Sequence, residues 1–237
     1  MTRQERKFFI LRSIGNFLLL FAIFGVFSTF GPALYFEVQF RVIQARGITY
    51  KIADSESVNE IVKGEDKSQP SFGDLLTGEK EQEIAAPDEE FSIVIPKIGA
   101  ASKIAPNVDP SDEDSFLPVL KTSVAHAQGT VFPGMPGNIY LFAHSTDNFW
   151  DVGRYNAIFY LLKDLEVGDE ISVFYQGERH NYFVSDKQVV DSDDVSLITE
   201  AQTGNEQLIL QTCWPPGTTW KRLLIFARPR NTDRVFK

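Results

Sequence analysis

Within its 237 residues the chain has one cysteine, Cys213, and three histidines, His126, His144 and His180. A lone thiol makes no internal disulfide and builds no multi-thiolate zinc or iron–sulfur site. It can attack a carbonyl, given a base or an electropositive setting to supply the thiolate and a donor for the oxyanion that forms. Cys213 closes the apolar run Gln207–Thr212 and precedes Trp214-Pro215-Pro216-Gly217, which cannot continue a strand ladder. Arg222 lies nine residues downstream, at the head of the run Leu223–Ala227, so a hairpin of that length could return its guanidinium to the same rim. His144 follows a third run, Asn138–Ala143, and leads into Ser145-Thr146-Asp147. Nucleophile, proton carrier and oxyanion donor at three strand ends are the residue types that acyl transfer needs. The competing reading of Cys213 is a small buried apolar residue, and of Arg222 a surface charge. His180 falls in a hairpin pattern with no companion chemistry and reads as solvent-facing.

These ends belong to a β pattern that begins at Phe91. Phe91–Ile95 is a strand stopped by Pro96, and Asn138–Ala143 follows the turn signals Pro133-Gly134 and Pro136-Gly137. Glu170–Tyr175 pairs plausibly with His180–Val184 across Gln176-Gly177-Glu178, and Gln207–Thr212 with Leu223–Ala227 across Trp214–Lys221. Only Arg154–Leu165 looks more helical than extended. Short strands with turn signals at this spacing imply an all-β sandwich or barrel with short helices in its loops. Asp109, Asp112, Glu113 and Asp114 offer oxygen ligands for calcium, but a solvated acidic turn explains the same run.

The formal net charge of −9 argues against a nucleic-acid partner, which would need a basic face. A 43% hydrophobic and 13% aromatic composition excludes a wholly disordered chain. The charge is uneven: residues 1–53 carry +5, residues 54–90 carry −9 and residues 91–237 carry −5. Between Arg12 and Glu37 the 24 residues Ser13–Phe36 hold no charge; as a helix they would span about 36 Å, enough to cross a bilayer. The run is longer than a signal-peptide core, and Gly31-Pro32-Ala33 is a poor cleavage signature, so an uncleaved signal-anchor is expected. Arg3, Arg6, Lys7 and Arg12 before it, against Arg41, Arg46 and Lys51 after it, point to a cytoplasmic N-terminus. The resulting division is a basic terminus at 1–12, a transmembrane helix at 13–36, a juxtamembrane segment and acidic linker at 37–90, and a catalytic β-domain at 91–237. The linker reads as a solvated, self-repelling tether, and its apolar patch Phe72, Leu75 and Leu76 could fold back over a groove. An unpaired thiol on the exported side risks oxidation, which favours its retention for chemistry.

At these residues the region 91–237 resembles the sortases, membrane-anchored cysteine transpeptidases of bacterial envelopes. The likeness rests on Leu-Phe-Ala-His144-Ser, on Ile209-Leu-Gln-Thr-Cys213, on Trp-Lys-Arg222-Leu-Leu-Ile-Phe-Ala227, on the stretch Val124–Thr130 running to Gly137-Asn138, and on the first strand ending Ile-Pro-Lys-Ile98. Ile209 stands where the family has the first Thr of its signature, and Pro215-Pro216 stiffens a short Cys-to-Arg loop. The Asp109-Pro110 pair has the composition of a lid motif of pilus-assembling sortases, but it follows the first strand instead of preceding it and is set aside.

The resemblance implies a closed β-barrel that binds an extended sorting signal of the Leu-Pro-x-Thr-Gly kind at the C-terminus of an exported protein. Cys213 would form a thioacyl intermediate, His144 would move protons, and Arg222 would hold the substrate backbone and oxyanion. Thr212 would add its hydroxyl to the substrate or oxyanion site, and His126 would be structural or supporting. An amine, from a peptidoglycan precursor or a pilin lysine, would resolve the intermediate on the extracellular side of the cell membrane, with no cofactor or metal required. A hydrolase on the same scaffold and a non-catalytic peptide-binding domain are the alternative classes.

Overall fold

Side chains that alternate between two faces organise the chain from Phe91 to Pro229. The computed structural model describes residues 3–53, 81–145, 158–194, 196–199, 204–216 and 218–230. A long helix, α1 (Arg3–Arg46), leads into two short strands, β1 (Thr49–Ile52) and β2 (Glu81–Ile84). Then come β3 (Phe91–Ile95), β4 (Ala100–Val108), α2 (Glu113–Leu120), β5 (Val124–Ala127) and β6 (Asn138–Phe142). The second half holds β7 (Glu170–Tyr175), β8 (Glu178–Asp191), the single turn α3 (Ser196–Thr199), β9 (Gln207–Trp214) and β10 (Lys221–Pro229).

Strands β3–β10 close into an eight-stranded barrel in the order β10-β8-β7-β3-β4-β5-β6-β9, sealed by the antiparallel β9–β10 pair. Closure removes the open edges that an exposed sheet would present. β4–β5 and β6–β9 are parallel, so each needs a crossover; α2 provides the first and the β7–β8 hairpin lies within the second. Ile139, Leu141, Leu208, Leu210, Leu223 and Ile225 fill the barrel interior. The alternate residues Tyr140, Phe142, Ile209, Leu224 and Phe226 form a second apolar layer outside it, covered by Phe116 and Leu120 of α2 and Ile198 of α3. Strands β6, β9 and β10 are thus apolar on both faces, which is why they read in the sequence as unbroken apolar runs.

The all-β barrel agrees with expectation; several boundaries do not. β8 extends from Glu178 to Asp191, well beyond the expected His180–Val184. The described part of Arg154–Leu165 is a 3-10 stretch, Tyr160–Asp164. β4 and β5 lacked a clear signature because Pro106 and Asn107 (φ 54°) interrupt β4, where the register with β5 shifts between Ala105 and Val108. The acidic run 109–114 starts a helix: Asp112 caps α2 by accepting from the Asp114 N–H at 3.2 Å, and Asp109 accepts from the Ser111 N–H at 2.8 Å. Among the described residues no three His, Cys, Asp or Glu side chains converge as a metal would require.

A further difference concerns residues 37–53 and 81–90, the described parts of the expected juxtamembrane segment and linker. Residues Arg3–Ser28 are long and apolar enough to cross a membrane, and Phe8, Phe17, Leu20, Phe24 and Phe27 there are exposed, as befits an anchor and not a core helix. α1 does not stop at the expected residue 36 but continues to Arg46, and its last turns pack on the barrel. Phe40, 3% exposed, joins the interior cluster that includes Ile98 and Leu162. Burying a phenylalanine side chain is worth about 1.5–3 kcal/mol. Glu37 accepts from Lys163 Nζ at 3.0 Å and from Arg41 Nε at 3.0 Å. The Lys163 bond leads in holding the Glu37 carboxyl below its ordinary pKa, against a smaller opposing effect of burial. β1 and β2 then pair in parallel, Thr49 to Glu81 through Ile52 to Ile84. The chain leaves this small sheet after Ile52 and re-enters it at Glu81. The apolar patch Phe72, Leu75 and Leu76 lies outside the described residues.

Candidate active site

Strand alternation sorts the end of β9. Leu208 and Leu210 point into the barrel and Thr212, 2% exposed, continues that inward set, while Ile209, Gln211 and Cys213 face outward. Cys213 is a free thiol of intermediate exposure. Across the β9–β10 ladder it pairs with Arg222, so the two side chains leave the sheet together on the outer face. Arg222 Nη1 donates toward the Cys213 Sγ at 3.7 Å and is held by the carbonyls of Thr219 at 3.1 Å and Lys221 at 3.3 Å.

On the other side of β9, β6 runs parallel in a register that pairs Phe142 with Gln211. The ladder continues past that pair: the Ala143 N–H donates to the Gln211 carbonyl at 3.2 Å, and Thr212 Oγ1 donates to the Ala143 carbonyl at 3.1 Å. Phe142–Gln211 is the last paired step of β6 and β9; His144 follows it by two residues on one chain segment, as Cys213 does on the other. His144 is partly exposed and continues the outward alternation of Tyr140 and Phe142. Cys213 and Arg222 are thus paired across neighbouring strands, and His144 follows the end of the strand on the other side of β9.

The other candidates fall elsewhere. Thr212 spends its hydroxyl proton inside the barrel wall on the Ala143 carbonyl, so it fastens the residue before His144 to the residue before Cys213. That placement suits a positioning group better than the direct substrate contact expected for it. His126 is fully buried on β5; its Nδ1 accepts from the Asn107 N–H at 3.3 Å, which leaves Nε2 to donate to Thr130 Oγ1 at 2.9 Å and the Val131 carbonyl at 3.1 Å. Burial pushes its pKa below the ordinary histidine value, partly offset by the Val131 carbonyl. It stacks on Phe132 with ring centroids 4.5 Å apart. His180, read as solvent-facing, is only partly exposed on β8, with Nε2 4.0 Å from a Glu178 carboxylate oxygen.

Cys213 and Arg222 open onto a groove of about 540 Å³. Tyr140, Phe142 and Gln211 line it along the sheet, Phe116 and Leu120 from α2, and Ile198 from α3. Tyr140 donates its hydroxyl to Gln211 Oε1 at 2.6 Å, and burial raises its pKa, so it stays a neutral donor. Asp109, Pro110 and Ser111 form part of the wall, although their sequence position had set the Asp109-Pro110 pair aside. Asp194 also lines the groove, and its carboxyl is held below the ordinary range by the hydroxyl and N–H of Ser196. Of these additions only Asp109 and Pro110 drew attention in the sequence, as part of an acidic run and as a pair of lid-motif composition.

A family model, the Sortase domain, matches residues 93–230, more than half of the chain. Sortase D of Bacillus subtilis (strain 168) is 31% identical over 137 residues, which are 56% of this chain and 60% of that protein. The alignment thus leaves two fifths of that relative's length unmatched. Among solved structures, sortase C-1 from Actinomyces oris matches with a TM-score of 0.50 at 25% identity, over 60% of this chain and 75% of that one. A lid mutant of sortase A from Corynebacterium diphtheriae shares the fold with a TM-score of 0.50 at 22% identity, over 85% of this chain and 97% of that one.

Proposed function

Because the chain belongs to the sortase family, we propose that it is a membrane-anchored cysteine transpeptidase acting on exported proteins that carry a C-terminal sorting signal. The observation that carries this reading is the cross-strand pair of Cys213 and Arg222 lining one groove, with the guanidinium 3.7 Å from the thiol. In the reactive pair Cys213 is a thiolate and His144 an imidazolium. The sulfur attacks the carbonyl carbon of an extended peptide in the groove, and the oxygen gains the negative charge. Arg222 stands close enough to the sulfur to donate charge-assisted hydrogen bonds to that oxygen. Collapse breaks the C–N bond, His144 gives its proton to the departing amine, and a thioester on Cys213 remains. An incoming amine then attacks the thioester, His144 accepts the amine's proton, and the thiolate leaves. Peptidoglycan precursors and pilin lysines are the acceptor amines of this class. The apolar walls from Phe116, Leu120, Phe142 and Ile198 suit aliphatic and proline side chains of a Leu-Pro-x-Thr-Gly-like peptide.

The basic residues Arg3, Arg6, Lys7 and Arg12 favour a cytoplasmic N-terminus, which puts the barrel outside the cell. The test uses the full chain in detergent micelles with candidate sorting peptides and an amine acceptor, following the thioacyl adduct and the transfer product by mass. Cys213→Ala is expected to abolish the adduct, and Arg222→Ala to slow turnover by about 10²–10³-fold, the scale of a lost oxyanion donor. His144→Ala is expected to abolish transfer. Thr212→Val keeps the shape but loses the bond to Ala143, and it should lower turnover less than any of the three. Transfer that survives Cys213→Ala would overturn the reading, and cleavage without transfer in excess amine would make the chain a hydrolase.

A further inference from the structure

The connection between the anchor and the barrel is built as a rigid part. α1 runs unbroken from Arg3 to Arg46, and the uncharged run Ser13–Phe36 within it ends at the residue before Glu37. Glu37 follows that run directly, and Phe40 lies four residues past its end, about 6 Å along a helix at 1.5 Å per residue. Both are fastened to the barrel. Glu37 meets Lys163 at 3.0 Å, and Phe40 is buried in the interior cluster. Lys163 is itself fixed, 2.8 Å from Asp164 and 5.1 Å over the Tyr160 ring. After Gly47 (φ 65°) turns the chain, Tyr50 of β1 packs against Gly99, where a Cβ would come within 2.9 Å of the ring. One helix face and one following strand are thus both attached, which blocks swivelling about the helix axis. The stretch between Ile52 and Glu81 adds no reach, because it starts and ends in the same small sheet, where Ile52 pairs with Ile84 and Glu81 with Thr49. A flexible tether across residues 37–90 would instead spread the barrel over a root-mean-square distance of about 40 Å.

We propose that residues Glu37–Ile52 act as a rigid coupling that fixes both the height of the catalytic groove above the bilayer and the direction in which it faces. The enzyme would thereby favour substrates that are themselves inserted in the same membrane, through geometry instead of through groove contacts. This rests on α1 being the membrane anchor and on the groove being catalytic, as proposed above.

The experiment places the full chain in liposomes with a sorting peptide fused to a transmembrane helix, and compares a soluble peptide. Two residues inserted after Phe36 rotate everything beyond by about 200° and lift it about 3 Å; seven residues rotate it by only about 20° and lift it about 10 Å. Both insertions should leave soluble-peptide turnover within about twofold of the parent. The two-residue insertion should lower transfer from the membrane-inserted substrate at least tenfold. Adding Glu37→Lys and Phe40→Ala, which undock the helix, should remove that sensitivity. A readout without catalysis is energy transfer from a fluorophore at Val167→Cys, in a Cys213→Ala chain, to acceptor lipids. The seven-residue insertion should raise that label by about 10 Å. An unchanged label height, or equal membrane-substrate turnover in all variants, would overturn the coupling. Absence of soluble-peptide turnover in the parent would remove the catalytic reading and leave the label height to judge the coupling.

Discussion

His126 touches no substrate in the proposed reaction, yet its ring holds the bulge from which the groove wall departs. Its Nδ1 takes the N–H of Asn107, two residues before Asp109, and the neighbouring Gln128 N–H closes onto the Val108 carbonyl at 2.9 Å. Protonation of Nδ1 would break the first of these bonds inside a buried site. Burial lowers the folded pKa, whereas the unfolded chain titrates near the ordinary value of about 6.5. Below that value the unfolded state binds a proton that the folded state refuses. Stability from this group is therefore full above about pH 6.5 and is lost as pH falls toward the folded pKa. In His126→Gln the urea midpoint should depend less steeply on pH between about 5 and 7, the loss amounting to at most one proton, about 1.4 kcal/mol per pH unit. An unchanged slope would place the acid sensitivity in other groups. At this scale the sequence was informative about the reacting trio, because each member sits at a strand end beside a turn signal. It was silent on Tyr140 and Asp194, since their membership in the groove depends on which strands and loops become neighbours.

Elements were legible where burial repeats. β6, β9 and β10, apolar on both faces, stood out, and the β7–β8 pairing followed from its Gln176-Gly177 turn, with Gln176 at φ 52° and Gly177 at φ 80°. β1 and β2 are four residues each and partly polar, and they exist through pairing and through contacts with the barrel, which no local pattern encodes. The last turns of α1 were missed for the same reason: Phe40 is one apolar residue whose slot is supplied by strands far along the chain. Gly99 marks how closely β1 approaches. It occupies the left-handed region at φ 60°, ends the 3-10 turn Pro96–Ile98, and lies against the Tyr50 ring. Gly99→Ala is expected to cost about 1 kcal/mol for the backbone conformation, and more because the ring must shift. In a Tyr50→Ala background the same substitution should cost only the backbone part. Thermal melts of the four full-length chains close the cycle, and additivity within about 0.5 kcal/mol would mean that the ring does not pack there.

For the molecule as a whole, the net charge of −9 first suggests an acidic spacer that lifts a domain off an anionic surface. The parallel pairing of Thr49–Ile52 with Glu81–Ile84 changes what that charge can do. A segment that starts and ends in the same small sheet changes neither the height nor the orientation of the barrel when its length changes. Replacing residues 54–80 by about twelve Gly and Ser residues still spans the ends of a four-residue parallel pair. It also shortens the loop to be closed, worth about 0.7 kcal/mol in favour of the folded state. The expected result is a melting temperature equal to or slightly above that of the parent, with the Val167 label at the same height over the bilayer. A spacer would behave oppositely, since removing fifteen residues would draw the barrel toward the membrane. Turnover of a soluble peptide should stay within about twofold. A marked increase would show instead that Phe72, Leu75 and Leu76 shield the groove, and a large drop in melting temperature would show that the segment contributes packing of its own.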